Sequence, residues 1–351
     1  MRQFWVIVLL LSVVLSAHGI ELKTNTSVSL NGEGYYLLGW NFGSGFFAQV
    51  LNITNMSFSM FDAFGKKYGP FPDGTHVAVS PDCSRFAYTL DAEGKTSIVF
   101  DSMIYAEHDG IENLEIVPDG SAPVFIYHEN GKDWLSYKGL LICGYREITE
   151  FEAAGNSDVF GFIYRIHRSF YVQTGFTNSG PYRKCKELKL SYNGKSCAFF
   201  AKSPKLSENM TYGDDAKISI SPDGSVTGIV FCKEYLYYLR IGDTVFGPYE
   251  IAFEPVFSPD NRYAFGYQMG EECFVRFGDA KYGPADFIYN YAFLPEPFGF
   301  GYVYQMKDVY YIRLGEENTL GPFEYADFRI IDGKIYLLVM QGGILTFLET
   351  I

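Results

Sequence analysis

Seven carboxylates, Asp214, Asp215, Glu250, Glu254, Asp286, Glu324 and Asp327, fall in one stretch of a repeat that runs along this chain, between the end of one unit and the start of the next. Like charges gathered on one rim repel, and a bound cation or a Lys/Arg-rich partner relieves that repulsion. Of the seven, Asp214, Asp215, Glu250, Glu254, Glu324 and Asp327 are expected to stand nearest a shared rim as a ligand-binding set. The competing reading is plainer. Loop acids are common, and a chain with 41 acidic and 28 basic residues must place its charge on the surface. The Asp214-Asp215 pair belongs to no EF-hand or other dense calcium loop, and no metal is expected.

Residues for covalent or acid–base chemistry are sparse. His76, His108, His128 and His167 lie in no metal-ligand spacing such as HExxH, and surface or structural roles suit them. The chain has no GxSxG nucleophile elbow and no S-x-D-x-G-x-T-W box. Six cysteines, at 83, 143, 185, 197, 232 and 273, form no CxxC or Cys/His cluster, which disfavours zinc. Cys232 and Cys273 occupy nearly matching places in successive repeats, so a bridge between them and a pair of free thiols both stay open. No cofactor is expected.

Residues 1–19 have the make-up of a secretory leader: Arg2, an apolar run from Phe4 to Leu15, and small residues at Ser16-Ala17-His18-Gly19. The run is short of the roughly 20 residues needed to span a bilayer. The expected organisation is a signal peptide at 1–19 and one domain over 20–351, secreted or periplasmic, with no membrane span. Loss of Arg2 leaves 27 basic against 41 acidic residues, a net charge of −14. That balance opposes binding to nucleic acid and allows a cationic partner. Four Asn-x-Ser/Thr sequons begin at Asn25, Asn52, Asn55 and Asn209.

The repeat is what must position the carboxylates. Turn signatures recur at 45, 82, 119, 156, 193, 223, 260, 296 and 332, with steps of 37, 37, 37, 37, 30, 37, 36 and 36. The clearest read Ser80-Pro81-Asp82, Val117-Pro118-Asp119-Gly120, Ser221-Pro222-Asp223-Gly224 and Ser258-Pro259-Asp260-Asn261. Around residue 260 the unit resolves into four short strands, a over 254–258, b over 263–267, c over 273–277 and d from 280, with Gly283-Pro284 ending d. The Gly-Pro junction recurs at 69, 180, 247 and 321, each time beside an aromatic residue suited to packing between units. The short step between 193 and 223 marks a unit that has lost a strand pair. Four strands in about 37 residues describe a propeller blade.

Pro255-Val256-Phe257-Ser258-Pro259-Asp260 followed by Tyr263-Ala264-Phe265, and residues 76–88, resemble the WD40-like repeat of TolB-type β-propellers over most of 71–332. The resemblance implies an all-β fold, a single β-propeller of four-stranded blades. Eight blades are expected, with seven and nine open. The segment near 21–30 should close the ring against strands from 325–350, since end blades otherwise expose sheet edges. TolB-like propellers mostly bind other proteins. The functional expectation is therefore an exported module that binds a protein or small ligand, cationic ones included, without catalysis of its own. The alternative is a hydrolase or lyase with carboxylates at the channel mouth. Oligomeric state is not legible.

Overall fold

Short runs of alternating Phe, Tyr, Val and Ile, punctuated by two-residue turns, leave strand as the one regular state this chain can sustain. The computed structural model describes residues 14–17, 20–29, 35–42, 46–52, 57–62, 66–72, 75–80, 84–155, 159–175, 177–202, 215–331 and 333–350. Every regular element in them is a β-strand. Most of residues 1–19, the turn marks at 45, 82, 156 and 332, the sequons at Asn55 and Asn209, and Asp214 lie outside the described residues.

The chain falls into two compact units, one of residues 74–248 with 259–261 and one of 1–73, 249–258 and 262–351. The unit of residues 74–248 holds four antiparallel sheets whose four strands lie in chain order. Their first strands are Val77–Val79, Ile111–Ile116, Glu147–Ala153 and Lys217–Ile220. A fifth sheet, Lys184–Leu190 with Cys197–Lys202, has two strands among the described residues. It sits where the short step of 30 predicts a lost pair.

In the unit of both chain ends, the first strands are Tyr35–Phe42, the broken pair Ile251–Ala252 and Val256–Phe257, Phe287–Phe293, and Tyr325–Ile331. The sheet of Tyr325–Ile331 is completed from the other end of the sequence. Ile20–Ser29 pairs with Ile344–Thr350, joining Thr24 to Leu348, as the edge argument requires. Val14–Ala17 adds a fifth strand outside it. The architecture is thus all-β, a propeller-type series of four-stranded blades. Nine sheets occur among the described residues, against eight expected, and they follow the nine turn marks.

The a–b turn is held by a serine that is almost wholly buried. Ser80, Ser191 and Ser221 each accept on Oγ the backbone N–H five residues ahead, from Arg85, Ser196 and Val226, at 3.0 Å. Asp223 fastens the same turn from outside, its Oδ1 accepting from Ser225 N at 2.9 Å and from Ser221 Oγ at 2.8 Å. Asn193 does this in its own copy, accepting from Lys195 N and Ser191 Oγ. Asp223 is thus a turn fastener, as Asx geometry dictates.

The Gly-Pro pair does not end strand d. Ala280–Ala285 runs through Gly283-Pro284, and the register against strand c shifts there, from Val275↔Tyr282 to Cys273↔Ala285. The proline occupies a bulge, where a missing N–H costs no ladder bond. Gly283 has φ +127, and a Cβ there would meet Cys273 O at 2.8 Å, so glycine alone lets the strands approach. The flanking aromatic packs on the next blade as expected: Tyr282 lies 4.5 Å from Phe300 and Tyr249 4.3 Å from Tyr267, centroid to centroid. Cys185, Cys197, Cys232 and Cys273 are free thiols, which decides against a bridge between Cys232 and Cys273.

Candidate functional site

First strands here carry a bulge that re-aims their side chains. Register shifts fall between Glu112 and Glu115, between Ile148 and Glu150, and between Lys186 and Lys189. Asn113 and Glu187 stand at positive φ within two of them, at 50° and 58°. A bulge bends its strand and turns a side chain away from the simple alternation. The buried residue between each outward pair, Leu114 or Leu188, anchors the strand in the core. The flanking residues Asn113 and Glu115, Glu150 and Glu152, and Glu187 and Lys189 then line a cavity of about 320 Å³, with Lys217 from the next first strand.

Within this cavity the strands are tied to one another by charge. Glu150 accepts the backbone N–H of Glu187 at 2.9 Å and of Leu188 at 2.7 Å, one carboxylate capping the neighbouring bulge. Lys217 Nζ lies 2.8 Å from Glu187 Oε1, and Lys189 Nζ lies 4.0 Å from Glu152 Oε2. Glu115 reaches solvent yet is walled by protein, and this desolvation holds its carboxyl above the usual range against the pull of Lys189. Glu152 is raised for the same first reason, with the charges of Glu115 and Glu150 adding to it. Four carboxylates face two ammonium groups, so the cavity keeps a negative excess.

Asp215 is exposed in the turn before Lys217–Ile220. Glu250 is exposed at a bend, its N–H donating to Gln268 O. Glu324 caps the b–c turn of its own blade, its Oε1 accepting from Gly342 N at 2.9 Å, and Asp286 does the same with Lys307 N at 2.7 Å. Glu254 and Asp327 belong to a different phase, Asp327 within Tyr325–Ile331 and Glu254 in the break between Ile251–Ala252 and Val256–Phe257. Glu254 is exposed and its carbonyl accepts from Tyr291 Oη at 2.6 Å. Asp327 is half-buried, its Oδ1 accepting from Asn290 Nδ2 at 2.7 Å. The carboxylates expected at one phase therefore occupy two.

Five residues that sequence reasoning missed, Asn113, Glu150, Glu187, Lys217 and Asn290, share a legible phase with Glu254 and Asp327, which it named. Asn113, Glu150, Glu187, Lys217, Glu254, Asn290 and Asp327 follow one another at steps of 37, 37, 30, 37, 36 and 37. Each is polar beside an apolar position, and all but Glu254 lie within a first strand. The signal was the phase of the inner strand, two to four residues past the loop where the acids were sought.

No family model matches the chain, and no curated protein matches it. Solved structures do. The Dos1 propeller is 10% identical with a TM-score of 0.46, over 93% of this chain and 95% of its own. The β-propeller domain of the Trilobed protease from Pyrococcus furiosus is 12% identical with a TM-score of 0.43, over 82% and 98%. TolB from Acinetobacter baumannii is 8% identical with a TM-score of 0.31, over 90% and 78%. Likeness at this level is one of strand architecture and carries no function with it.

Proposed function

We propose that this chain is an exported β-propeller of the TolB-type repeat class, one closed ring over 20–351, that binds a cationic partner without catalysis of its own. The partner is a Lys/Arg-rich protein segment or a small cationic ligand, seated on the first strands of the blades. The carrying observation is the excess of Glu over Lys around the 320 Å³ cavity, where Glu115 and Glu152 sit desolvated beside like charges. Desolvated, mutually repelling carboxylates are a cost to the fold that a bound cation removes, and such groups concentrate at functional sites. Asp215, exposed two residues before Lys217, adds to the same negative field. Export rests on the make-up of residues 1–19.

The test is the binding of a fluorescein-labelled oligolysine peptide, followed by anisotropy. Affinity should fall as salt rises, since charges farther apart than about 8 Å are screened at physiological ionic strength. Glu115→Gln with Glu152→Gln should weaken binding while raising the melting temperature at neutral pH. Binding that ignores both salt and these substitutions would sink the reading.

A further inference from the structure

A second cavity, of about 300 Å³, lies in the unit that holds both chain ends, and its walls differ in kind from the first. One wall is aromatic, made by Tyr289, Tyr310 and Tyr325. With Phe287 beyond the cavity they form a row of rings with successive centroid separations of 6.2, 5.1 and 5.6 Å and tilts of 43°, 37° and 46°. Alternation along Phe287–Phe293 buries Ile288 and turns Phe287 and Tyr289 outward, leaving them 57% and 52% exposed. Adjacent large apolar faces left in water mark a binding surface far more often than an accident of packing.

The other wall is made of planar polar groups. Asn290 Nδ2 donates to Asp327 Oδ1 at 2.7 Å and to Phe328 O at 2.9 Å. Arg329 Nη2 stands 3.9 Å from Asp327 Oδ2, and Tyr289 Oη donates to Gln305 Oε1 at 2.5 Å. Amide, carboxylate and guanidinium are thus fixed side by side at the end of the aromatic row.

Charge and ring geometry select the ligand. Arg329 balances Asp327, so this cavity lacks the negative excess that a cation requires. The rings stand beside one another about 5 Å apart, as a shelf; an aromatic cage must instead leave room for an ammonium group facing several rings. What fits a shelf with a polar, charge-balanced end is a neutral molecule with one apolar face and a rim of hydroxyls. A cavity of this size sits at the small end of those that hold small molecules. We propose that it is a carbohydrate-binding site, stacking a neutral pyranose on Tyr289 and Tyr310 and holding its hydroxyls with Asn290, Asp327 and Arg329.

The experiment titrates the full chain with methyl glycosides of glucose, galactose, mannose, N-acetylglucosamine and fucose, read by saturation-transfer NMR, with tetramethylammonium as the competing probe. At least one glycoside should bind saturably and discriminate against its epimers. Tyr289→Ala and Arg329→Ala, both at exposed side chains, should each weaken it by about tenfold, the scale of one lost aromatic contact or charged hydrogen bond, with an unchanged melting curve. Tyr289→Phe should keep most of the affinity, because the stacking face remains. The proposal is overturned if no glycoside saturates, if both alanine variants bind as the parent does, or if tetramethylammonium binds in place of the sugars. Failure of oligolysine binding leaves it standing, because that probe reports on a different cavity in the other unit.

Discussion

At the scale of single residues, the buried serine of the a–b turn does more than the proline and aspartate that make the motif visible. Ser221 is wholly buried and holds the Val226 N–H, so Ser221→Ala leaves a buried donor without its acceptor and should cost about 1–3 kcal/mol in urea-induced unfolding. The carboxylates outside the turn act through pH. Hydrogen bonds from Asn261, Ser225 and Ser221 hold Asp223 well below its ordinary value of 3.8, and Lys138 and Ser121 hold Asp119 down at about 2. A folded-state value below the unfolded one lends stability that is full above the ordinary value and lost as pH falls. The melting difference between the parent and Asp223→Ala should therefore be largest above pH 4 and close on acidification. Glu152 has the opposite sign. Its raised carboxyl favours the protonated fold, so what it lends is complete below 4.5 and lost as pH rises. Glu152→Gln should raise the melting temperature at pH 7 and change nothing at pH 4. A pair of melting curves for each variant at the two pH values checks both signs.

At the scale of elements, two features divide the blades. Inner strands carry the polar phase that lines the cavities, and Glu150 binds one such strand to the next. Glu150→Ala frees two backbone donors at the bulge of Glu187 and Leu188 and should cost about 2–3 kcal/mol, read from the urea midpoint. Outer strands differ in protection. Lys67–Phe71, Thr177–Tyr182, Thr244–Tyr249, Ala280–Ala285 and Asn318–Phe323 all contain Gly-Pro. Met103–His108 and Leu140–Tyr145 do not, and both begin with large exposed side chains, Ile104 at 70% and Leu140 at 60% among them. An edge without proline and with an apolar face invites pairing with another edge. Ile104→Lys with Leu140→Lys should raise the concentration at which light scattering begins and leave the melting temperature unchanged. The turn code and the outer strands were legible in the sequence because Pro, Gly and Asp announce themselves. The inner strands were not, because a bulge shifts register by one residue and hides which side chains share a face. Glu112 and Asn113 are neighbours and both exposed, and Ile111 and Leu114 are both buried although three apart, which ordinary alternation does not give until the shift between Glu112 and Glu115 is known.

At the scale of the whole molecule, the period of about 37 residues was enough to give an all-β series of blades, since a four-stranded sheet cannot bury both faces alone. Nine sheets occur among the described residues, within the range of seven to nine blades left open around the expected eight. The cavities were out of reach for another reason: each gathers side chains from successive blades, and no linear motif records that. The proposed leader bears on the fold as well. Cleavage after Gly19 would remove Val14–Ala17 and leave the sheet of Ile344–Thr350 with four strands like most of the others, so under the proposed export N-terminal sequencing of the processed chain should begin at Ile20. The pairing of Ile20–Ser29 with Ile344–Thr350 has a consequence in time as well as in space. Other sheets assemble from neighbouring hairpins and can form as the chain leaves the ribosome. This one waits for Ile344–Thr350, made long after Ile20–Ser29, and for that interval the earlier strand lacks this partner. Contacts of such long sequence separation close slowly and expose edges meanwhile, so this pairing belongs to the late steps of folding.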